Sequence, residues 1–273
     1  MKQVIVLNDI AGIAACTLGV SLPILSVCDC KVYPMPTAVF SSSTRVAGVQ
    51  CVPLSDFLPK VAAHWSALPL DIDAILMGCF ADEVGVEAAI AIVEGVRKEG
   101  TLVLVDPVMG DEGRVFASEA HSEAMRRLVA KADITCPNFT EFCVLCGADF
   151  AAMETLSYQE KLAFLDEKVP TLGVPRVVVT GIRGGDTVCN YVYDNGMVTL
   201  HTHPFHHFGV CGTGDMFSNI MLTRVLYGQD LDTAVQTAGE WIASVTETMP
   251  AHPEYGLYLG GERLIALRKG ILD

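Results

Sequence analysis

The sequence predicts an α/β fold built on a central, largely parallel sheet, and three observations carry that expectation. Short apolar runs rich in Val and Ile alternate with longer stretches of helical period, the pattern of repeated βαβ units. Hydrophobic residues fill 51% of the 273 positions against 18% charged, and the mean hydropathy is +0.40, so a large core is available. Polar residues recur at the carboxyl ends of the predicted strands, namely Asn8 and Asp9, Asp106, Asn138 and Glu141, and Thr180, where open α/β sheets bind their ligands.

Taken in order, "QVIVLN" reads as a buried strand, residues 12–27 as a helix, and "KVYPMPTAVF" as extended chain broken by prolines. "DIDAILMG" is a second buried strand and residues 83–99 the next helix. "TLVLVDPVMG" is the clearest strand, ending at Asp106-Pro107 because proline stops regular pairing. "ADITCPNFTEFCVL" repeats the theme, with Asn138 or Thr140 able to cap a following helix. After the strand "PRVVVTG" the period changes to two over "DTVCNYVYDNGMVTLHTH", with Asn195-Gly196 marking a hairpin turn. Helices after Gly214 and over residues 230–248 close the core. No internal repeat, low-complexity tract or Pro/Gly/Ser-rich linker divides the chain, so residues 1–273 are expected to form one domain.

Thirty-two acidic against eighteen basic residues give a formal charge of -14. Such a surface repels polyanions, which argues against nucleic acid or an anionic membrane as the main partner and for a small ligand with its own counter-cation. The ten cysteines are irregularly spaced and no charged-then-apolar export segment opens the chain, so reduced thiols in a cytoplasm are expected. The lone CxxC of Cys143 and Cys146 lacks a second half for zinc. His201, His203, His206 and His207 look like a metal tract by composition, but the first two alternate on a predicted strand and Pro204 interrupts the run. A solvated edge is the expectation there, with His206 or His207 near the phosphates. No apolar run reaches the length of a membrane span.

Three motifs carry chemistry. Gly212-Thr213-Gly214-Asp215 precedes "MFSNIMLTRVL", whose apolar positions recur at helical spacing. Amides at such a helix start can form an anion site, because unpaired donors and the dipole both face the ligand; the plainer reading is a glycine turn capped by Asp215. "DPVMGDEG" sets Asp106 and Asp111 just past a strand, oxygen ligands of the kind magnesium uses alongside phosphates. "CPNFTE" places Asn138 and Glu141 three residues apart, on one side of a first helical turn, which is also what an N-cap with a dipole-favoured acid looks like. Phosphoryl transfer needs magnesium near the phosphates, donors for the transferring charge and an acid beside the nucleophilic hydroxyl, and the three motifs supply these in order. No GxxxxGK[ST] occurs, and no GxGxxG follows the first strand.

In this order and at these separations, "DPVMGD", "PNFTE", "VVVTG" and "GTGD" resemble the pyridoxal kinase branch of the ribokinase-like superfamily, and the similarity runs from "VLND" through "PTAVFSSST" to "GERLIALRKGIL". The resemblance implies a three-layer α/β/α fold, a C-terminal strand-and-helix region, and a homodimer. It also implies ATP-dependent phosphorylation of the 5'-hydroxymethyl group of pyridoxal, pyridoxamine or pyridoxine in pyridoxal 5'-phosphate salvage. Carried over by position, Asp215 is the catalytic base and contacts the substrate, and Gly212, Thr213 and Gly214 form the anion hole. Asp106 and Glu141 organise Mg2+ and phosphates, Asn138 and Thr180 line the nucleotide site, and Asn8 and Thr44 contact the B6 ring. Asp111 matches a loop acid approaching the phosphate-metal region, and a monovalent cation such as potassium is an optional addition.

The chain departs from that family at Cys136, where many members carry a hydroxyl before "PN", at Cys79-Phe80, where some relatives place a ring-packing tyrosine, and at "SSST" in place of "SNHT". The alternative within the fold is a hydroxymethylpyrimidine kinase of thiamine synthesis, whose members typically carry cysteine at the position of Asp215. A sugar kinase would add a β-lid, and no such strand set interrupts the early helices. A non-catalytic small-molecule sensor on the same fold is the alternative from another class.

Overall fold

The computed structural model describes residues 1–206, 209–247 and 252–272. The chain begins with β1 (Lys2–Ile13), α1 (Leu18–Val27), β2 (Cys30–Ser42), β3 (Cys51–Pro53), α2 (Leu58–Ser66), β4 (Ala74–Met77), α3 (Glu83–Val96) and β5 (Leu102–Val105). A small hairpin of β6 (Gly110–Asp111) and β7 (Arg114–Val115) leads to α4 (Glu119–Val129), β8 (Ile134–Thr135), α5 (Phe139–Cys146), α6 (Phe150–Glu154) and α7 (Tyr158–Lys168). The strands β9 (Arg176–Gly184), β10 (Thr187–Asp194) and β11 (Met197–Pro204) follow, then α8 (Thr213–Leu226), α9 (Leu231–Thr246) and α10 (Gly261–Leu272).

Nine strands form one sheet in the order β11-β10-β9-β8-β5-β4-β1-β2-β3. The run from β9 to β2 is parallel throughout, and the antiparallel strands lie at the two edges. The two-residue alternation of β1 shows why both faces are covered. Val4 and Val6 pack with α1, α8, α9 and α10, whereas Ile5 and Leu7 pack on the other side with α2, α3, α4, α5 and α7. The result is the expected three-layer α/β/α arrangement with a mostly parallel sheet.

Three local expectations are corrected. Residues 12–17 are strand end and turn rather than helix, because β1 stays paired with β2 as far as Ile13 opposite Ser42. Pro34 and Pro36 do not break β2: β3 covers only Ala38–Phe40, so the missing N–H groups fall on an open edge. The carboxyl-terminal region carries α10 without a preceding strand among the described residues. Asp230 caps α9, accepting from the Thr233 N–H at 2.8 Å, and residue 248, the expected helix end, lies outside the described residues.

Candidate active site

Where β4, β5, β8 and β9 end, the loops that follow them and the start of α8 enclose a cavity of about 970 Å³. Asp106, Asn138, Glu141, Thr180 and the whole Gly212–Asp215 turn line it, so the expected nucleotide-side residues share one space.

Gly212 is the N-cap of α8 at φ 85°, and a Cβ there would stand 2.1 Å from the Ala15 carbonyl oxygen, so only glycine fits. The first intrahelical bond runs from the Met216 N–H to the Gly212 oxygen at 3.0 Å, which leaves the amides of Thr213, Gly214 and Asp215 ahead of it for a ligand. Asp215 opens the helix with both carboxylate oxygens held. Asn8 Nδ2 donates to Oδ1 at 3.0 Å and the Thr17 N–H to Oδ2 at 2.8 Å. Thr17 aims that N–H from φ 53°, a left-handed backbone unusual for a β-branched residue. Burial raises the Asp215 pKa above the ordinary carboxylate value, while the Thr17 and Asn8 donors pull it back.

Asn138 and Glu141 form a full capping box on α5. Asn138 Oδ1 accepts from the Glu141 N–H at 3.0 Å, and Glu141 Oε2 accepts from the Asn138 N–H at 2.8 Å. Glu141 Oε1 also accepts from the Met109 N–H at 3.2 Å, and Asn138 Nδ2 clamps the Gly110 carbonyl at 2.8 Å, which ties the β6–β7 hairpin to the site. The capping reading and the ligand reading therefore coexist in the same two residues. Thr180 meets this segment through its N–H, which donates to the Pro137 oxygen at 2.9 Å.

Burial and the neighbouring Asp215 raise the Asp106 pKa, with the Ser218 hydroxyl working against them. Burial and the Asp106 charge likewise hold Glu141 well above its ordinary value. Among the described residues none of Asp106, Glu141 and Asp215 has an ion-pair partner. Acids crowded in this way fit a divalent cation arriving with phosphates. Among the described residues no three His, Cys, Asp or Glu side chains make a ready metal shell, and Mg2+ needs only one or two carboxylates besides phosphates and water. Cys136 also lines this region, a buried thiol kept protonated by burial and by the Asp106 and Glu141 charges.

Of the other expected residues, Thr44 and Asp111 also line the cavity, whereas Asn8 stands behind its wall. Asn8 does not line the cavity: its oxygen accepts from the N–H groups of Asp9 at 3.0 Å and Cys79 at 2.8 Å, and its nitrogen serves Asp215. Gly78 packs so closely on this amide that a Cβ would lie 2.6 Å from Nδ2. Thr44 is exposed at the cavity wall, whereas Ser43 beside it is buried and accepts from the Cys211 thiol at 3.3 Å. Asp111 is half exposed and pairs with Arg45 at the rim. Phe80, which follows Cys79, is buried and forms part of the wall. His203 is not at a solvated edge; it is buried under α9, where a Cβ on Gly239 would meet its ring at 2.2 Å, and His201 meets Asp232 at 2.7 Å. His206 lines the cavity and His207 lies outside the described residues.

Sequence reasoning gave no role to Thr17, Arg45 or the Arg183 guanidinium, which stacks 3.4 Å from the Phe205 ring centre on the cavity wall. Arg45 and Arg183 both reach Glu112 on the β6–β7 turn, at 3.8 and 3.6 Å. Arg45 directly follows "SSST" and Arg183 follows the β9 core run, so position was their only signal.

A mostly parallel sheet between helical layers, with acids at its carboxyl end and a glycine turn opening α8, defines a ribokinase-like small-molecule kinase. The chain belongs to the phosphomethylpyrimidine kinase family, a family of phosphotransferases whose profile matches residues 22–257. It is 27% identical over 236 residues to pyridoxal kinase PdxY of Pseudomonas putida, covering 80% of this chain and 77% of that one. It is 28% identical over 212 residues to the thiamine biosynthesis multifunctional protein ThiED of Corynebacterium efficiens, covering 76% of this chain but only 27% of that much longer one. Among solved structures, pyridoxal kinase from Lactobacillus plantarum superposes with a TM-score of 0.86 at 26% identity, over 98% of this chain and 96% of that one. A Bacteroides thetaiotaomicron protein assigned as a phosphomethylpyrimidine kinase and crystallised with pyridoxal gives 0.88 at 26% identity, over 99% and 95%.

Proposed function

We propose that this chain transfers the γ-phosphoryl group of MgATP to the 5'-hydroxymethyl oxygen of a vitamin B6 vitamer, pyridoxal, pyridoxamine or pyridoxine. The observation that carries the proposal is Asp215, a carboxylate held by Asn8 and Thr17 at the point where the free amides of α8 begin. Asp215 accepts the hydroxyl proton as that oxygen attacks phosphorus, and the Gly212–Asp215 amides stabilise the charge on the transferred group. Asp106 and Glu141 would hold the magnesium, whose charge would offset that of the phosphates, and Asp111 at the rim would assist its approach. Asn138 and Thr180 border the nucleotide phosphates, and Thr44 borders the acceptor.

The pyridoxal kinase relatives and the pyridoxal bound to the Bacteroides protein support a B6 acceptor. A hydroxymethylpyrimidine acceptor is the second reading, favoured by the family's own description and by a hydroxymethylpyrimidine/phosphomethylpyrimidine kinase of Aquifex aeolicus, 26% identical over 182 residues that cover 63% of this chain and 66% of that one. ADP release is measured with each alcohol in turn, with Asp215→Asn alongside. Turnover on a B6 vitamer, lowered at least 100-fold in the variant, is expected. Turnover on the pyrimidine alone selects the second reading, and none on any alcohol overturns both.

The protein works as a homodimer in the cytoplasm. Ile10, Val39 and Val52 stand opposite one another across β1, β2 and β3 and are all exposed, an apolar row that a second copy would cover. All ten cysteines are free, which suits a reducing compartment, and no helix among the described residues is long and apolar enough to cross a membrane. A monomeric mass by light scattering would remove the dimer.

A further inference from the structure

Phosphoryl transfer as set out above gives Asp9 no task, yet Asp9 is 4% exposed and lines the cavity. The β1–β2 ladder loses register at this residue, between Asn8 opposite Pro36 and Ile10 opposite Val39, and such irregularities often redirect a side chain beside a functional site. The titratable groups around it are Asp215 from α8, Cys79 after β4, Cys16 before α1 and Cys51 on β3, every one an acid or a thiol. No lysine, arginine or histidine among the described residues forms an ion pair with it. The Thr17 hydroxyl stands on the same wall, and it and the Cys79 side chain are the neutral groups that work against the rise in the Asp9 pKa.

A buried carboxylate without a counter-charge is costly, and it is stabilised when a ligand brings a cation or an N–H donor. Asp9 follows Asn8, whose amide holds Asp215, so a ligand edge at Asp9 leaves the rest of that ligand beside the proposed base. We propose that Asp9 determines acceptor specificity by receiving the protonated ring nitrogen or amino group of a nitrogen heterocycle whose hydroxymethyl group faces Asp215. The inference rests on the kinase reading and narrows its substrate class to alcohols carrying a cationic or N–H-bearing edge. Burial and the Asp215 charge push the Asp9 carboxyl up to about 7, so near neutral pH it can ionise when such an edge arrives.

The test is binding by calorimetry to the full chain, with pyridoxine, pyridoxamine and a benzyl alcohol analogue of pyridoxine in which C–H replaces the ring nitrogen. The unmodified protein should bind pyridoxine about 10- to 100-fold more tightly than the carbocycle, as expected for a hydrogen bond to a charged group. Asp9→Asn should abolish that difference while ATP affinity, read on the same sample, shows an intact fold. Equal affinity of the unmodified protein for pyridoxine and the carbocycle overturns the inference whether or not the variant folds. So does an Asp9→Asn protein that keeps the preference, or that changes only its magnesium requirement. Absence of both binding and ADP release with every alcohol overturns the kinase reading itself, a separate result.

Discussion

The Asn8 side chain donates to Asp215 Oδ1 at 3.0 Å while its own oxygen accepts from two backbone N–H groups, those of Asp9 and Cys79. With the oxygen fixed by two donors, the amide cannot flip, so its N–H2 must face the carboxylate. Asn8 is thus held as a donor to Asp215.

For Asn8→Ala we expect kcat to fall roughly 10- to 100-fold with little change in acceptor KM, the effect of losing a hydrogen bond to a charged group of about 1.5–3 kcal/mol. The same change should move the acidic limb of the kcat profile to higher pH. Asn8 is one of the two donors that lower the Asp215 pKa, so its removal leaves burial less opposed, and a base needs a higher pH to be ionised. A limb that stays in place would reduce Asn8 to a packing role.

Gly212→Ala combines a left-handed φ of 85° with a Cβ placed 2.1 Å from a backbone oxygen that cannot swing away. The backbone conformation alone costs on the order of 1–3 kcal/mol, and the collision displaces the turn before α8. The variant should melt several degrees lower, by about 2–4 °C per kcal/mol for a chain near this size, and lose the thermal shift that MgATP confers. An unchanged nucleotide-induced shift would separate the turn from phosphate binding.

Asn138 is asked for two things, a cap on α5 and a clamp on the Gly110 carbonyl. Asn138→Ala should cost about 1–2 kcal/mol and roughly 2–8 °C in Tm. Asn138→Ser restores a cap but is too short for the clamp, so it should recover only part of the loss. Full recovery in the serine variant would show that the clamp contributes nothing measurable.

The layers were legible because buried parallel strands are continuous apolar runs, as in Val4–Leu7 and Leu102–Val105, and because the Asn138–Glu141 pair announces a helix start. The cavity lining was legible where a motif is contiguous, as in residues 212–215. Thr17 was not, because its left-handed backbone is imposed by packing and carries no glycine to mark it. The hydrogen bonds of Asn8 were not legible for a related reason: its partners Cys79 and Asp215 lie 71 and 207 positions away, and only the fold brings them together. His203 escaped because strand alternation says which face a residue takes but not that α9 covers that face.

Asp9 makes a prediction for stability as well as for specificity. Its folded pKa of about 7 stands above the ordinary 3.8, so the folded chain keeps a proton that the unfolded chain releases. The stabilisation from that proton is complete below pH 3.8 and is lost as pH rises through about 7, at up to about 1.4 kcal/mol per pH unit. Asp9→Asn keeps the shape without the ionisation and should remove this component. Relative to the unmodified protein the variant should gain in Tm between pH 5 and pH 7.5, the range in which the unfolded chain has released the proton that the folded chain still holds. Scanning calorimetry across that range decides the matter: a Tm difference that stays constant with pH would mean that Asp9 is ionised throughout, already neutralised by the protein, and not waiting for a cation from the ligand.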